Sequence, residues 1–221
     1  MLERKERYLQ LAFNYDLWQA RHILPAIPVN QRILIEAGTP FIKREGIRGI
    51  RALAGLWPGK IVADLKTSDG AFNEVAFVRE AGATAATVMG SAPAETLDLF
   101  IARCSELGLD SMVDMLGVDE PLKVLMGLRS PPGVVILHKG RDEEGTRGKT
   151  IQYKHVNKIR SKFDVLIAAA GGIDLAQARS AIFNGANIVV ANIVSPQDPW
   201  VGISSEADVK EIATQFLETI E

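Results

Sequence analysis

The 221-residue chain is 47% hydrophobic and 24% charged, enough apolar material for one substantial core, and no window approaches the roughly 18 uninterrupted apolar residues of a membrane span. Its formal charge, 25 − 27 = −2, gives no electrostatic case for nucleic acid or an anionic membrane surface. Cys104 is the only cysteine, which excludes an intrachain disulfide and a cysteine-rich metal cluster, and the charged start Met1–Arg7 lacks the apolar centre of a signal peptide. These features lead us to expect a cytoplasmic location.

Apolar strand-like runs alternate with helix-period segments along the whole length. Tyr8–Phe13 is the first strand, followed by a helix through Leu17, Ala20 and Ile23. Arg32–Ile35 is the second strand, with a helix from about Glu45 to Leu56. Ile61-Val62-Ala63 opens the third strand, and Ala83–Met89, Ser111–Met115, Gly133–Leu137, Val165–Ala169 and Asn187–Val190 are the fourth to eighth. Helical patterns lie between them near 71–81, 94–107, 119–128, 151–161 and 174–183, with a last helix over Glu206–Glu218. Eight β-then-α units predict parallel strands with helical crossovers, closed as a (β/α)8 barrel, an α/β fold, over residues 1–221 as one domain. An open doubly wound sheet is the competing architecture.

In a barrel of this kind, catalytic groups stand at the carboxyl ends of the strands. This chain's polar residues collect there: Asn14 and Asp16, Glu36, then Asp64, Lys66 and Asp69, Thr87, Asp114, His138 with Arg141, Gly171-Gly172, and Asn192 with Ser195. Asp64 and Lys66 are two apart on one strand and so share a face. Charges buried there are costly unless they are paired or hold a ligand. A salt-bridged strand end explains one such pair, but not charges at five strand ends. Glu36 and Asp64 end neighbouring strands, and two carboxylates suit Mg2+, which keeps much of its water; the plainer reading makes Glu36 the partner of Lys66 or Lys43. Asp114 fits either a third ligand or a contact to a substrate hydroxyl. His138 follows Val134–Leu137 and can exchange protons near neutral pH, whereas His22 and His155 lie in helical segments and read as structural. Gly171-Gly172 precedes Asp174 at a helix start, a turn that offers backbone N–H groups to an anion. Gly140–Thr150 is a glycine-punctuated charged loop, read equally as solvated loop or as a lid.

The segments Ile35-Glu36-Ala37-Gly38-Thr39-Pro40, Val62-Ala63-Asp64-Leu65-Lys66-Thr67 and Thr87-Val88-Met89-Gly90 resemble the 3-hexulose-6-phosphate synthases of the orotidine 5′-phosphate decarboxylase superfamily, whose Asp-x-Lys-x-x-Asp signature stands here as Asp64, Lys66 and Asp69. The resemblance implies a homodimeric barrel with Mg2+ on Glu36 and Asp64, Lys66 on the substrate, Asp69 reaching the partner's site and His138 beside an enediolate. It implies aldol addition of formaldehyde to ribulose 5-phosphate, or the reverse. Substrate contacts would come from Asn14, Asp114, Arg141, Gly171, Gly172, Ala191 and Asn192. Glu36 stands where orotidine decarboxylases have lysine, which argues against orotate. His138-Lys139-Gly140-Arg141-Asp142 instead fits the His-x-x-Arg-Asp pattern of the 3-keto-gulonate 6-phosphate decarboxylases, the second reading. Two positions depart from the family: Asn14 where an Asp is usual, with Asp16 as a candidate substitute, and Ala191-Asn192 where Gly-Arg is frequent. Arg141, Arg147 or Lys149 could complete the weakened phosphate grip. The same departures support a third reading, a sugar-phosphate-binding barrel with altered or lost catalysis.

Overall fold

The structure, a computed structural model, describes residues 1–143 and 150–221. Eight parallel strands run in sequence order: β1 (Tyr8–Phe13), β2 (Ile33–Ala37), β3 (Lys60–Thr67), β4 (Ala85–Met89), β5 (Asp110–Asp114), β6 (Val134–His138), β7 (Leu166–Ala170) and β8 (Ile188–Val194). β1 pairs with β8 as well as with β2, from Tyr8 opposite Ile188 to Phe13 opposite Ile193. The sheet is therefore closed, and the doubly wound alternative is excluded. Helices α1 (Leu17–Ile23), α2 (Thr39–Leu56), α3 (Ala71–Glu80), α4 (Ala94–Leu107), α5 (Pro121–Met126), α6 (Val156–Arg160), α7 (Leu175–Phe183) and α8 (Val209–Thr219) separate the strands and follow the last. A two-residue strand β9 (Ile203–Ser204) adds to the end of β8.

The strands are apolar on both faces because both are covered. Ala12, Leu34, Val62, Met112, Val134, Leu166 and Ile188 fill the barrel interior, joined from below by Leu2 and Tyr8. The alternate residues, among them Leu11, Ile35, Ala63, Val113, Val135, Ile167 and Ala191, pack against the helices. Successive side chains on a strand point to opposite faces, so the polar residues that continue the inward set at the upper rim face one mouth.

Four elements depart most from the sequence reading. The second helix begins at Thr39, not near Glu45, with Pro40 in its first turn, and is broken at Gly46 (φ 63°). It starts early because Gly38 brings the chain hard against β1; a Cβ there would fall 2.9 Å from Phe13 O and 2.2 Å from Asn14 Oδ1. The eighth strand extends to Val194, which puts Asn192 inside it instead of beyond its end. The expected helix over 151–161 is a 3-10 turn (Tyr153–His155) and the five-residue α6. The last helix begins at Val209, capped by the Asp208 side chain. Of the expected lid, 144–149 lie outside the described residues, and Arg147 and Lys149 with them.

Candidate active site

β3 carries the centre of the site through an irregularity. Val62 and Ala63 pair with Ala85 and Ala86, yet Thr67 pairs with Val88, so four steps along β3 match two along β4. Lys66 takes a left-handed backbone (φ 49°) at this bulge. Such a conformation is costly for a residue with a Cβ, and is held by its surroundings. Here the Lys66 N–H donates to Thr87 Oγ1 at 2.9 Å, and the side chain is drawn between two carboxylates.

Lys66 Nζ stands 3.1 Å from Asp64 Oδ2 and 2.7 Å from Asp114 Oδ2. Burial opposes its charge, but Asp64 and then Asp114 hold its pKa above the usual lysine value. The ammonium has three N–H groups, so two salt bridges leave donor capacity for a substrate oxygen. Asp64 is fixed from several sides: Thr39 Oγ1 and Thr87 Oγ1 each donate to it at 2.8 Å.

Asp114 is fully buried and lies 2.9 Å from His138 Nδ1. Burial alone would raise its pKa, but His138 and Lys66 hold it well below the usual carboxylate range. A carboxylate kept ionised can only accept, so Nδ1 is the donor and neutral His138 carries its lone pair on Nε2. The Leu116 N–H also donates to Asp114, at 3.0 Å. Asp114 thus orients Lys66 and His138 together.

Glu36, buried on β2, accepts from Gln10 Nε2 at 2.5 Å. Burial, then the neighbouring Asp64 charge, raises its pKa to about 7. A carboxyl raised by a second carboxylate is short of positive charge. Two hard oxygen donors in that condition fit a divalent cation that takes few protein ligands. Among the described residues no group of three or more His, Cys, Asp or Glu converges as a metal site.

These side chains line one cavity of about 220 Å3, together with Asn14, Arg141, Gly171 and Asn192. Asn14 Nδ2 donates to Asn192 Oδ1 at 3.0 Å, and an Arg141 Nη2 reaches the same oxygen at 3.4 Å. Burial lowers the Arg141 pKa from its ordinary value, against the opposing pull of Glu36 and Asp64. A larger depression of about 910 Å3 lies against α4 and the segment before β6, and holds none of the strand-end charges.

Not every expected residue joins the cavity. Asp69 is exposed, and its carboxylate accepts the N–H of Gly70. Ala191 points into the helix-facing core. Gly172 (φ 61°) neighbours the lining residue Gly171 without lining the cavity itself. Asp16 does not replace Asn14; it caps α1 by accepting the Gln19 N–H at 2.9 Å and faces Arg44. His22 is exposed beside Trp18, and His155 is buried away from the mouth. Gln10 and Thr39 were missed as site residues, and Thr87 was named at its strand end without a role. Gln10 had left a signal, a polar residue within the apolar run Tyr8–Phe13.

Residues 7–193 match the family described as Orotidine 5'-phosphate decarboxylase / HUMPS family. The chain belongs to that family. Its (β/α)8 barrel is that of the 3-hexulose-6-phosphate synthases. A curated relative, the bifunctional enzyme Fae/Hps of Methanothrix thermoacetophila, is 35% identical over 95% of this chain and 52% of its own length. The chain therefore spans about half the length of the curated relatives it matches. The crystal structure of 3-hexulose-6-phosphate synthase from Salmonella typhimurium superposes with a TM-score of 0.82 at 26% identity, covering 96% of this chain and 98% of that one. The 3-keto-L-gulonate-6-phosphate decarboxylase of Vibrio cholerae, at 21% identity, TM-score 0.70 and 98% coverage of each chain, shares the fold.

Proposed function

We propose that this enzyme is a Mg2+-dependent aldol lyase or synthase that joins ribulose 5-phosphate and formaldehyde into 3-hexulose 6-phosphate, or cleaves that product. The observation that carries the reading is the Asp64–Lys66–Asp114–His138 array, a continuous set of contacts in one mouth beside Glu36. Aldol chemistry at C1 of the ketose needs a proton removed from that carbon, negative charge held on an enediolate, and the new alkoxide protonated. His138 Nε2 is the base nitrogen that the Asp114 bond leaves available to take and return protons. Lys66, held charged, presents its remaining N–H to the enediolate oxygen. Asp64 keeps Lys66 in place and would hold Mg2+ with Glu36. When bound, the ion would supply positive charge beside the developing oxyanion. The phosphate would lie near Gly171 and Asn192, with Arg141.

The 35% identical Fae/Hps relative and the superposed synthase support this over the other readings. One observation favours a second: Arg141 does reach the mouth, as the His-x-x-Arg-Asp pattern of a 3-keto-gulonate 6-phosphate decarboxylase requires. Among the described residues no helix is long and apolar enough to cross a membrane. In this reading the barrel works as a homodimer, with the exposed Asp69 offered to its partner.

The test is formaldehyde consumption by purified protein with Mg2+ and ribulose 5-phosphate. Turnover that is lost in Lys66→Ala is expected. No consumption there, with CO2 released from 3-keto-gulonate 6-phosphate, would move the assignment to the decarboxylase. Silence in both with sugar phosphate still bound would mean a barrel that has lost this catalysis.

A further inference from the structure

Arg141 is a half-buried cation in the wall of the mouth. Among the described residues its guanidinium has neutral partners and no ion pair: Asn192 Oδ1 at 3.4 Å and the Trp200 ring, whose centroid is 5.6 Å away. A cation taken partly out of water with no carboxylate in contact is costly, and a guanidinium in that state is a ready partner for a phosphate, whose oxygens it meets two at a time. The turn at Gly171 (φ 104°), which lines the same cavity, leaves no room for a Cβ beside Lys139 O, two residues before Arg141.

What holds Arg141 there is directional. Asn14 Nδ2 donates to two oxygens, Ala12 O at 3.4 Å and Asn192 Oδ1 at 3.0 Å. In this arrangement the group at that point is a donor, because the two atoms it faces, Ala12 O and Asn192 Oδ1, both accept. Asn192 Oδ1 is then committed as the shared acceptor of Asn14 on one side and Arg141 on the other. The line runs from the end of β1 through β8 to the segment after β6, with the Trp200 ring beside the guanidinium.

We infer that Arg141 takes the substrate's phosphate, and that Asn14 and Asn192 are positioning residues that act through it. An aspartate at 14 would not restore anything. Its carboxylate would face two acceptor oxygens, and Asn192 would have to turn its amide to donate. That turns an N–H toward Arg141 and leaves the new carboxylate to compete for the guanidinium. Asn14→Asp therefore weakens phosphate binding. This inference rests on the sugar-phosphate reading above and sharpens it.

The test is calorimetric binding of inorganic phosphate, and of ribulose 5-phosphate with Mg2+ and without formaldehyde, to wild type, Arg141→Met, Asn192→Leu, Asn14→Asp and the Arg141→Met/Asn192→Leu double variant. Arg141→Met should weaken both ligands by about 30-fold, the scale of a charge-assisted hydrogen bond. Asn192→Leu and Asn14→Asp should each weaken them by roughly 5-fold, and the double variant should bind no worse than Arg141→Met alone, because sites acting through one group are not additive. Additive losses in the double variant, wild-type binding by Arg141→Met, or tighter binding by Asn14→Asp would overturn the inference, as would a wild type that binds neither ligand. Should Asn192→Leu fail to fold, Asn14→Asp carries the same decision. Phosphate binding that depends on Arg141 without any aldol turnover would sink the proposed reaction and leave this assignment standing.

Discussion

At Glu36, a buried carboxyl with a pKa of about 7, the electrostatics of the mouth become measurable without substrate. The value is raised from 4.5 in the folded state, first by burial and then by Asp64. The folded protein therefore holds this proton more tightly than the unfolded chain does, and metal-free stability falls as pH climbs from about 4.5 to about 7. The full cost above that range is up to about 3 kcal/mol. Urea melts of metal-free protein should show Glu36→Gln more stable than wild type at pH 8 and no different at pH 4. Added Mg2+ should reverse the order at pH 8 by stabilising wild type alone. Equal melting of the two proteins at pH 8 would remove the charge conflict from the account. Glu36, Asp64 and Lys66 were legible in the sequence because charges seldom follow apolar strands without a task. The left-handed backbone of Lys66 was not, because nothing in Asp-Leu-Lys marks where a strand bulges. Asp16 misled for a local reason: an acidic residue just before a helix serves the helix cap as readily as a site.

Among the elements, the strands were readable from their apolar runs and the helix boundaries were less so. Gly38-Thr39-Pro40 looks like a loop by composition, yet proline is tolerated in a first helical turn and Gly38 is required by its closeness to Phe13 and Asn14. The end of β8 was misplaced because Asn192 is polar, and its partner is a side chain on another strand that no local pattern shows. The turn at Gly171 is the element-scale counterpart. A Cβ there would fall 2.0 Å from Lys139 O, on the segment that follows His138, and φ is 104°. Gly171→Ala should cost about 2 kcal/mol or more in chemical denaturation and lower kcat through the displaced His138–Arg141 segment. A variant with wild-type stability and kcat would show that this close approach does not support the site.

For the whole molecule, closure of β1 on β8 is what turns eight separate strand ends into one mouth. Sequence order alone could predict the closed barrel, but not which rim residues touch. The Asp114 bridge between Lys66 and His138 needs three-dimensional placement of β3, β5 and β6. Asp69 lies outside its own chain's cavity, which fits the proposed dimer in which it serves the neighbouring subunit. In that arrangement a Lys66→Ala subunit still lends its Asp69, and an Asp69→Asn subunit still has its Lys66. Unfolding and refolding an equal mixture of the two inactive variants should regain about a quarter of wild-type turnover, since half the pairs are mixed and one of their two sites is whole. No recovery from a mixture shown to exchange subunits would place Asp69 outside the partner's site.

The central claim is that this mouth makes an enediolate of a ketose phosphate. It is tested most directly by following the C1 hydrogens of ribulose 5-phosphate by NMR in D2O, with protein and Mg2+ and no formaldehyde. The account predicts protein-dependent exchange of a C1 hydrogen for deuterium, lost in Lys66→Ala and in His138→Asn. Ribulose 5-phosphate that binds the wild-type protein and keeps both C1 hydrogens would contradict it.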